Sequence, residues 1–151
     1  MDYSQITDTL FIGKTPLPED YPHLAQLGVG LVINMRLERK PYPDPYDTGL
    51  KFLWLPSIDS PLLPIPIRLL HKGVLQAVKV IQEGGKVYIH CASGIHRAVA
   101  MGACILIACG RTAREAMDLI KKRRENADPK VWYIRKRILR FEETWDSQAG
   151  C

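Results

Sequence analysis

KVYIHCASGIHR, residues Lys86–Arg97, decides the reading of this chain. Its first five residues, Lys86–His90, form a β-type run after Gly84-Gly85, suited to a strand covered on both faces. Ala98–Cys109 is an unbroken apolar stretch. A bilayer crossing takes about 20 residues, so this stretch reads as a buried helix. Between strand and helix stand Cys91 and Arg97. The backbone N–H groups of Ala92, Ser93, Gly94, Ile95, His96 and Arg97 can curl into a concave nest at the helix N-terminus. Such a nest favours a tetrahedral oxyanion, because peptide dipoles and macrodipole point the same way. Gly94 allows the torsions this needs, and Arg97 offers a planar fork for two phosphate oxygens. Cys91 stands at the base, where the same field favours a thiolate.

A thiolate facing a bound phosphate is a nucleophile for phosphoryl transfer. The leaving oxygen then needs a proton from an acid on another strand-end loop. Asp59, in SIDSPLLP, is the carboxylate of the Pro56–Pro66 loop, with Asp44 and Asp47 earlier in the chain as other acids. Cys-x5-Arg by itself is weak, since chance gives about 0.3 matches in a chain of this composition. A His before the Cys and a Gly three after it lower that to well under about 0.01. The bland alternative is a tight strand–helix turn with an inert buried Cys.

Outward from this stretch, Thr9–Gly13, Leu31–Met35 and Lys51–Leu55 read as strands. Helices are expected at Glu19–Leu27, Ile67–Glu83, from a Thr112-x-x-Glu115 capping box to about Asn126, and at Lys130–Trp145. Residues 37–49 carry Pro41, Pro43, Pro45 and Gly49 and form a long loop, of the kind that is often functional. The fold class is α/β: a small, mostly parallel sheet of four or five strands, helices on both faces, and a helical C-terminal half. One domain over residues 1–146 is expected, with 147–151 a short tail.

The 151 residues are 46% hydrophobic and 25% charged, enough for a core without staples, which excludes a disordered or fibrous chain. The formal net charge of +5 favours anionic partners, though a solvated basic face is the commoner cause. Met1-Asp2 opens no signal-like segment, so the cytoplasm is the expected location. Cys104 and Cys109 read as small core residues, and Cys151 is expected to lack fixed structure.

H-C-x-x-G-x-x-R, here His90 to Arg97, resembles the signature of the cysteine-dependent protein tyrosine phosphatases, and the short chain is similar to their small dual-specificity branch. ITDTLFIG resembles that branch's opening strand and LGVGLVINMR its strand ending in Asn. The resemblance implies Cys91 as nucleophile, Arg97 as phosphate clamp and Asp59 as general acid. His90 braces the loop, and Asn34 supports it. One position departs: Ala98 stands where the family usually has Ser or Thr, which bears on the second chemical step.

The expected activity is hydrolysis of phosphate monoesters through a phosphocysteine. Phosphotyrosine in proteins is the leading substrate, with phosphoserine and phosphothreonine beside it. An inositol phosphate or phosphoinositide is the alternative, kept open by the His96-Arg97 pair. A weakly active phosphate-binding module and a rhodanese-like sulfurtransferase are further rivals. Arg36, Arg39 and Lys40 are candidates for substrate recognition, if strand two ends beside the pocket. Lys121–Arg124 and the Arg135–Arg140 cations read as solvated faces, and Trp54, Trp132 and Trp145 as core. No cofactor, metal, nucleic acid or membrane insertion is expected. The partner is a phosphorylated protein or small phosphorylated substrate.

Overall fold

The computed structural model describes residues 1–146 and 150–151. The part of the expected tail at 147–149 lies outside the described residues. Five strands, β1 (Tyr3–Thr7), β2 (Leu10–Lys14), β3 (Val29–Arg36), β4 (Lys51–Ser57) and β5 (Lys86–Cys91), form one sheet in the order β1-β2-β5-β3-β4. Only β1, an edge strand, is antiparallel to its neighbour. The helices are α1 (Tyr21–Gln26), α2 (Ile67–Gln82), α3 (Arg97–Ala108), α4 (Ala113–Arg123) and α5 (Trp132–Thr144).

Side-chain alternation along the strands sorts the core into two layers. Val87, Ile89 and Cys91 of β5 point with Leu10, Ile12, Leu31 and Ile33 toward α2–α5. Tyr88 points with Phe11 and Val32 to the other face, under α1 and the 37–50 loop. Helix α3 is buried along its whole length, which accounts for its apolar, unpatterned sequence. Helix α4 opens with the expected capping box: Glu115 N–H donates to Thr112 Oγ1 at 3.1 Å, and Thr112 N–H donates to Glu115 Oε1 at 3.0 Å.

Several expectations from the sequence need correction. Strand β1 was not anticipated, because only Ile6 of its five residues is buried and the apolar pattern is faint. Strand β4 runs on through Pro56 to Ser57, which its edge position permits, since no further strand needs that N–H. Helix α1 is shorter than Glu19–Leu27, its first turn being the 3-10 segment Pro18–Asp20. Helix α4 stops at Arg123, because Arg124 is already extended (φ −133°, ψ 95°). Helix α5 begins at Trp132, two residues later than expected. Of the tryptophans, Trp132 is 59% exposed rather than core. Trp54 is half-buried and donates to the Arg36 carbonyl, and Trp145 stacks on Phe141. Cys109 and Cys151 are joined by a disulfide, so Cys109 is not simply a core residue and Cys151 has a fixed place.

The parallel register brings Lys14, Cys91, Arg36 and Ser57 to one end of the sheet. Gly13 lets β1 and β5 close on β2 there. A Cβ on it would stand 2.5 Å from the Asp2 carbonyl oxygen and 2.7 Å from Tyr3 Cβ, and would meet the Tyr88 hydroxyl. Gly13→Ala is therefore expected to destabilise the domain by about 1–3 kcal/mol, lowering the thermal midpoint by roughly 3–9 °C, as calorimetry would show.

Candidate active site

The segment between β5 and α3 is a closed loop whose carbonyls face out. Arg124 Nη2 donates to the Ser93 carbonyl at 3.0 Å, Arg124 Nε to the Gly94 carbonyl at 2.9 Å, and Asp128 N–H to the Ile95 carbonyl at 3.1 Å. In a trans peptide the N–H points opposite to the C=O, so the N–H groups of Gly94, Ile95 and His96 face inward. Gly94 N–H lies 3.3 Å from Cys91 Sγ, and Ala98 N–H lies 3.5 Å from it. Gly94 is left-handed (φ +70°), and a Cβ there would press on the Gly13 carbonyl at 2.8 Å. This is the anion nest read from the sequence, at the N-terminus of α3.

Arg97, 4% exposed, is fixed along its terminal edge. Nη1 donates to Glu38 Oε1 at 2.8 Å and to the Ser57 carbonyl at 2.8 Å, while Nη2 donates to Glu38 Oε2 at 3.0 Å. Its buried Nε has no partner among the described residues. A buried donor left open in this way is what an incoming oxyanion would satisfy. Hydrogen bonding from Arg97 holds the Glu38 carboxyl down at about 2 against a smaller opposing effect of burial. The pair's contribution is thus complete above the ordinary glutamate range and is lost progressively as pH falls from that range through about 2.

Four residues given roles from the sequence are engaged elsewhere. Arg36 Nη1 donates to Thr15 Oγ1 at 2.9 Å and Nε to Glu38 Oε2 at 3.1 Å. Thr15 in turn donates to the Cys91 carbonyl at 3.1 Å, so Arg36 ties the base of the loop to the Arg97 clamp. Arg39 lies over the Tyr42 ring and Lys40 over the Trp54 ring, and neither lines the cleft. Asn34 supports the turn after β3 rather than the Cys91 loop, accepting from Arg36 N–H at 2.7 Å and donating to the Arg39 carbonyl at 2.8 Å. His90 is buried beside the loop, and burial, then the Arg36 charge, push its imidazole down to about 3, so it is neutral at working pH.

Above the loop lies a cleft of about 460 Å³ lined by Leu37, Glu38, Ile58, Asp59 and Arg97. Asp59 therefore stands where the sequence put its acid, on the loop after β4. Asp44, by contrast, is engaged within its own turn by Thr48 and Tyr46. The His96 side chain is turned to Asp59, with Nδ1 2.9 Å from Oδ2. The expected solvated run Lys121–Arg124 is likewise corrected at its end: the first three are exposed, but Arg124 is 3% exposed. Glu38, Thr15, Arg124 and Tyr133, whose hydroxyl donates to Asp59 Oδ1 at 2.7 Å, escaped the sequence reading. None belongs to the Cys91 motif, and only the tertiary fold brings them to it.

Comparisons with known proteins identify the family. Residues 10–143 match the family model "Dual specificity phosphatase, catalytic domain". The chain belongs to this family of phosphatases. It is 27% identical over 137 residues to dual specificity protein phosphatase 14 of Mus musculus, across 89% of this chain and 67% of that protein. It is 27% identical over 121 residues to the phosphatidylglycerophosphate phosphatase PTPMT2 of Arabidopsis thaliana, across 70% of this chain but 47% of that protein. The crystal structure of PTPMT1 superposes with a TM-score of 0.79 at 26% identity, covering 93% of this chain and 94% of that one.

Arg124 is expected to hold the phosphatase loop in shape. Arg124→Met leaves two outward carbonyls unpaired and breaks the ion pair to Asp2 at 3.1 Å. The loss of both charge-assisted hydrogen bonds, worth about 1.5–3 kcal/mol each, corresponds to roughly 100- to 10,000-fold in vanadate affinity if it falls on the loop alone. Inhibition titrations check this. Unchanged vanadate affinity would mean that the loop holds itself.

Proposed function

We propose that the chain hydrolyses phosphate monoesters through a phosphocysteine on Cys91, with protein phosphotyrosine as the leading substrate and phosphoserine and phosphothreonine beside it. One observation carries the reading. Inward N–H groups, the Cys91 sulfur and the open Nε of Arg97 converge under a cleft that Asp59 borders. Cys91 Sγ attacks phosphorus, and Arg97 with the loop amides holds the equatorial oxygens. Asp59 protonates the leaving oxygen, then takes a proton from the water that releases phosphate. Leu37 and Ile58 give the cleft apolar walls, which suit the ring of a phosphotyrosine. Action in the cytoplasm is part of this proposal, because a thiolate nucleophile has to stay reduced. Disulfides such as Cys109–Cys151 are uncommon there, and thiol counts with and without reductant report the state of that pair.

A second reading, a phosphoinositide or another phosphorylated lipid headgroup, draws on the apolar rim. Leu62 is 86% exposed and Leu63 55%, close in the chain to Ile58. It also draws on the likeness to a phosphatidylglycerophosphate phosphatase. Against it, Ala92 and Ser93 bring no cation to the loop, and the His96 imidazole is occupied by Asp59. Comparing kcat/KM for phosphotyrosine and phosphothreonine peptides, inositol phosphates and phospholipid micelles separates the readings. The phosphotyrosine peptide is expected to lead.

Cys91→Ser should abolish turnover and keep phosphopeptide binding, because the nest and Arg97 remain. Activity within tenfold of wild type would remove the nucleophile assignment. Asp59→Asn should cost about 10²–10³-fold with a poor leaving group and less with an activated phenol. Equal losses with both would point to another acid.

Ala98 gives the sulfur a backbone N–H but no hydroxyl. Expulsion of the Cys91 thiolate is then the slower step, and rapid-quench traces should show a burst. Ala98→Ser should shrink the burst and raise steady turnover by about 10-fold or more, from a charge-assisted hydrogen bond of roughly 1.5–3 kcal/mol. A wild-type trace without a burst would show that the amides already suffice.

A further inference from the structure

Beside the catalytic cleft lies a second cavity, of about 250 Å³. Leu37, Ile58 and Leu63 wall it together with Pro56, Pro64 and Pro66. Leu37 and Ile58 also line the cleft, so the two spaces share one apolar wall. Ser57 completes the lining, but its hydroxyl is turned inward and donates to the Met35 carbonyl at 2.7 Å. Among the described residues, no charged side chain lines the cavity. Leu37 is 51% exposed and Ile58 41%, so apolar surface stands in water next to the site.

The shared wall is fixed relative to the phosphate clamp. The Ser57 carbonyl accepts from Leu37 N–H at 3.1 Å and from Arg97 Nη1 at 2.8 Å. The far wall is set by a turn of the loop after β4. There Leu63 N–H donates to the Ser60 carbonyl at 3.3 Å, and Leu62 N–H donates to Ser60 Oγ at 3.1 Å. Proline holds φ at about −65°, which stiffens three of the lining positions. An occupant therefore meets a cavity already shaped, and little of its binding energy goes into ordering the loop.

We propose that this cavity is a specificity site that takes the apolar side chain of a residue within three positions of the phosphorylated residue in a protein substrate. The proposal rests on the phosphopeptide reading above and names the peptide context which that reading selects. Three residues of extended chain span about 10 Å, the reach available to a side chain that crosses the shared wall. An aliphatic side chain displaces water from Leu37, Ile58 and Leu63 and brings no polar group to be left unpaired. A charged side chain would lose hydration there and find no partner. Continuity with the cleft favours this occupant over a bilayer. The cavity is concave and offers no cation to anionic headgroups, and Leu62, 86% exposed, does not line it.

The test is kcat/KM on a phosphotyrosine heptapeptide with alanine at its other positions, against its single alanine-to-leucine variants, for wild type, Leu63→Ser, Leu63→Ala and Leu62→Ser. At one position leucine should raise the wild-type value by about tenfold or more. Both Leu63 variants should cut that leucine-to-alanine ratio by about threefold or more, and Leu62→Ser should keep it. Ratios below about threefold at every position overturn the proposal, while hydrolysis of the peptides leaves phosphotyrosine as a substrate. A leucine preference that both Leu63 variants keep in full, or that Leu62→Ser removes equally, also overturns it. So does a phosphoinositide in phosphatidylcholine vesicles that is hydrolysed with a higher kcat/KM than the best peptide and loses that advantage in Leu62→Ser, which would assign the rim to a membrane. Turnover of p-nitrophenyl phosphate with no peptide hydrolysed overturns this proposal and the phosphotyrosine reading together.

Discussion

A loop that aims its N–H groups at one point must aim its carbonyls the other way, and buried carbonyls need partners. That constraint shapes much of this chain. Arg124 and the Asp128 amide take the carbonyls of Ser93, Gly94 and Ile95. To reach them, α4 ends at Arg123 and Arg124 turns extended. Asp2, just before β1, and Ser4 of β1 then share the charge of Arg124, which gives a weakly patterned strand a place in the site. Gly94 can approach the Gly13 carbonyl only because it lacks a side chain.

A second set of contacts fixes the guanidinium of Arg97. A path of hydrogen bonds runs from the Cys91 carbonyl through Thr15, Arg36 and Glu38 to Arg97. It joins the ends of β2, β3 and β5, so the sheet register places nucleophile and clamp relative to one another. Glu38 takes the Nη1–Nη2 edge and leaves Nε open. A phosphoryl group flattening in the transition state meets a fork already oriented, which is where preorganised charge contributes most.

The central residues of the site were legible because they are contiguous or lie at a strand end. Cys91 through Arg97 form one segment, and its chemistry follows from strand, tight turn and helix. Asp59 could be found because the mechanism needs an acid and its loop holds one carboxylate. The alternation of strands and helices gave the α/β class, with edges off by a few residues. What escaped was settled by tertiary contact. Arg124 closes a run of four cations and differs from the other three only because a helix stops there. Asn34 and Arg36 end a strand beside the loop, yet the backbone turn that follows captures the Asn34 side chain, and Thr15 and Glu38 take that of Arg36. Glu38 and Tyr133 belong to no local pattern at all. Trp132 faces solvent because Ile134, Ile138 and Phe141 set the buried face of α5, and Trp132 lies about 200° around the helix from Ile134.

The central claim is that the Cys91 loop takes the phosphoryl group onto sulfur. Acid quenching within the first turnover, followed by peptide mass spectrometry, tests it most directly. The account predicts a phosphoryl group on the peptide containing Cys91, absent when the nucleophile is replaced by Ser and removed by a chase without substrate. Sustained turnover with no phosphoryl group on Cys91 at any quench time, or with the group on another residue, would contradict it.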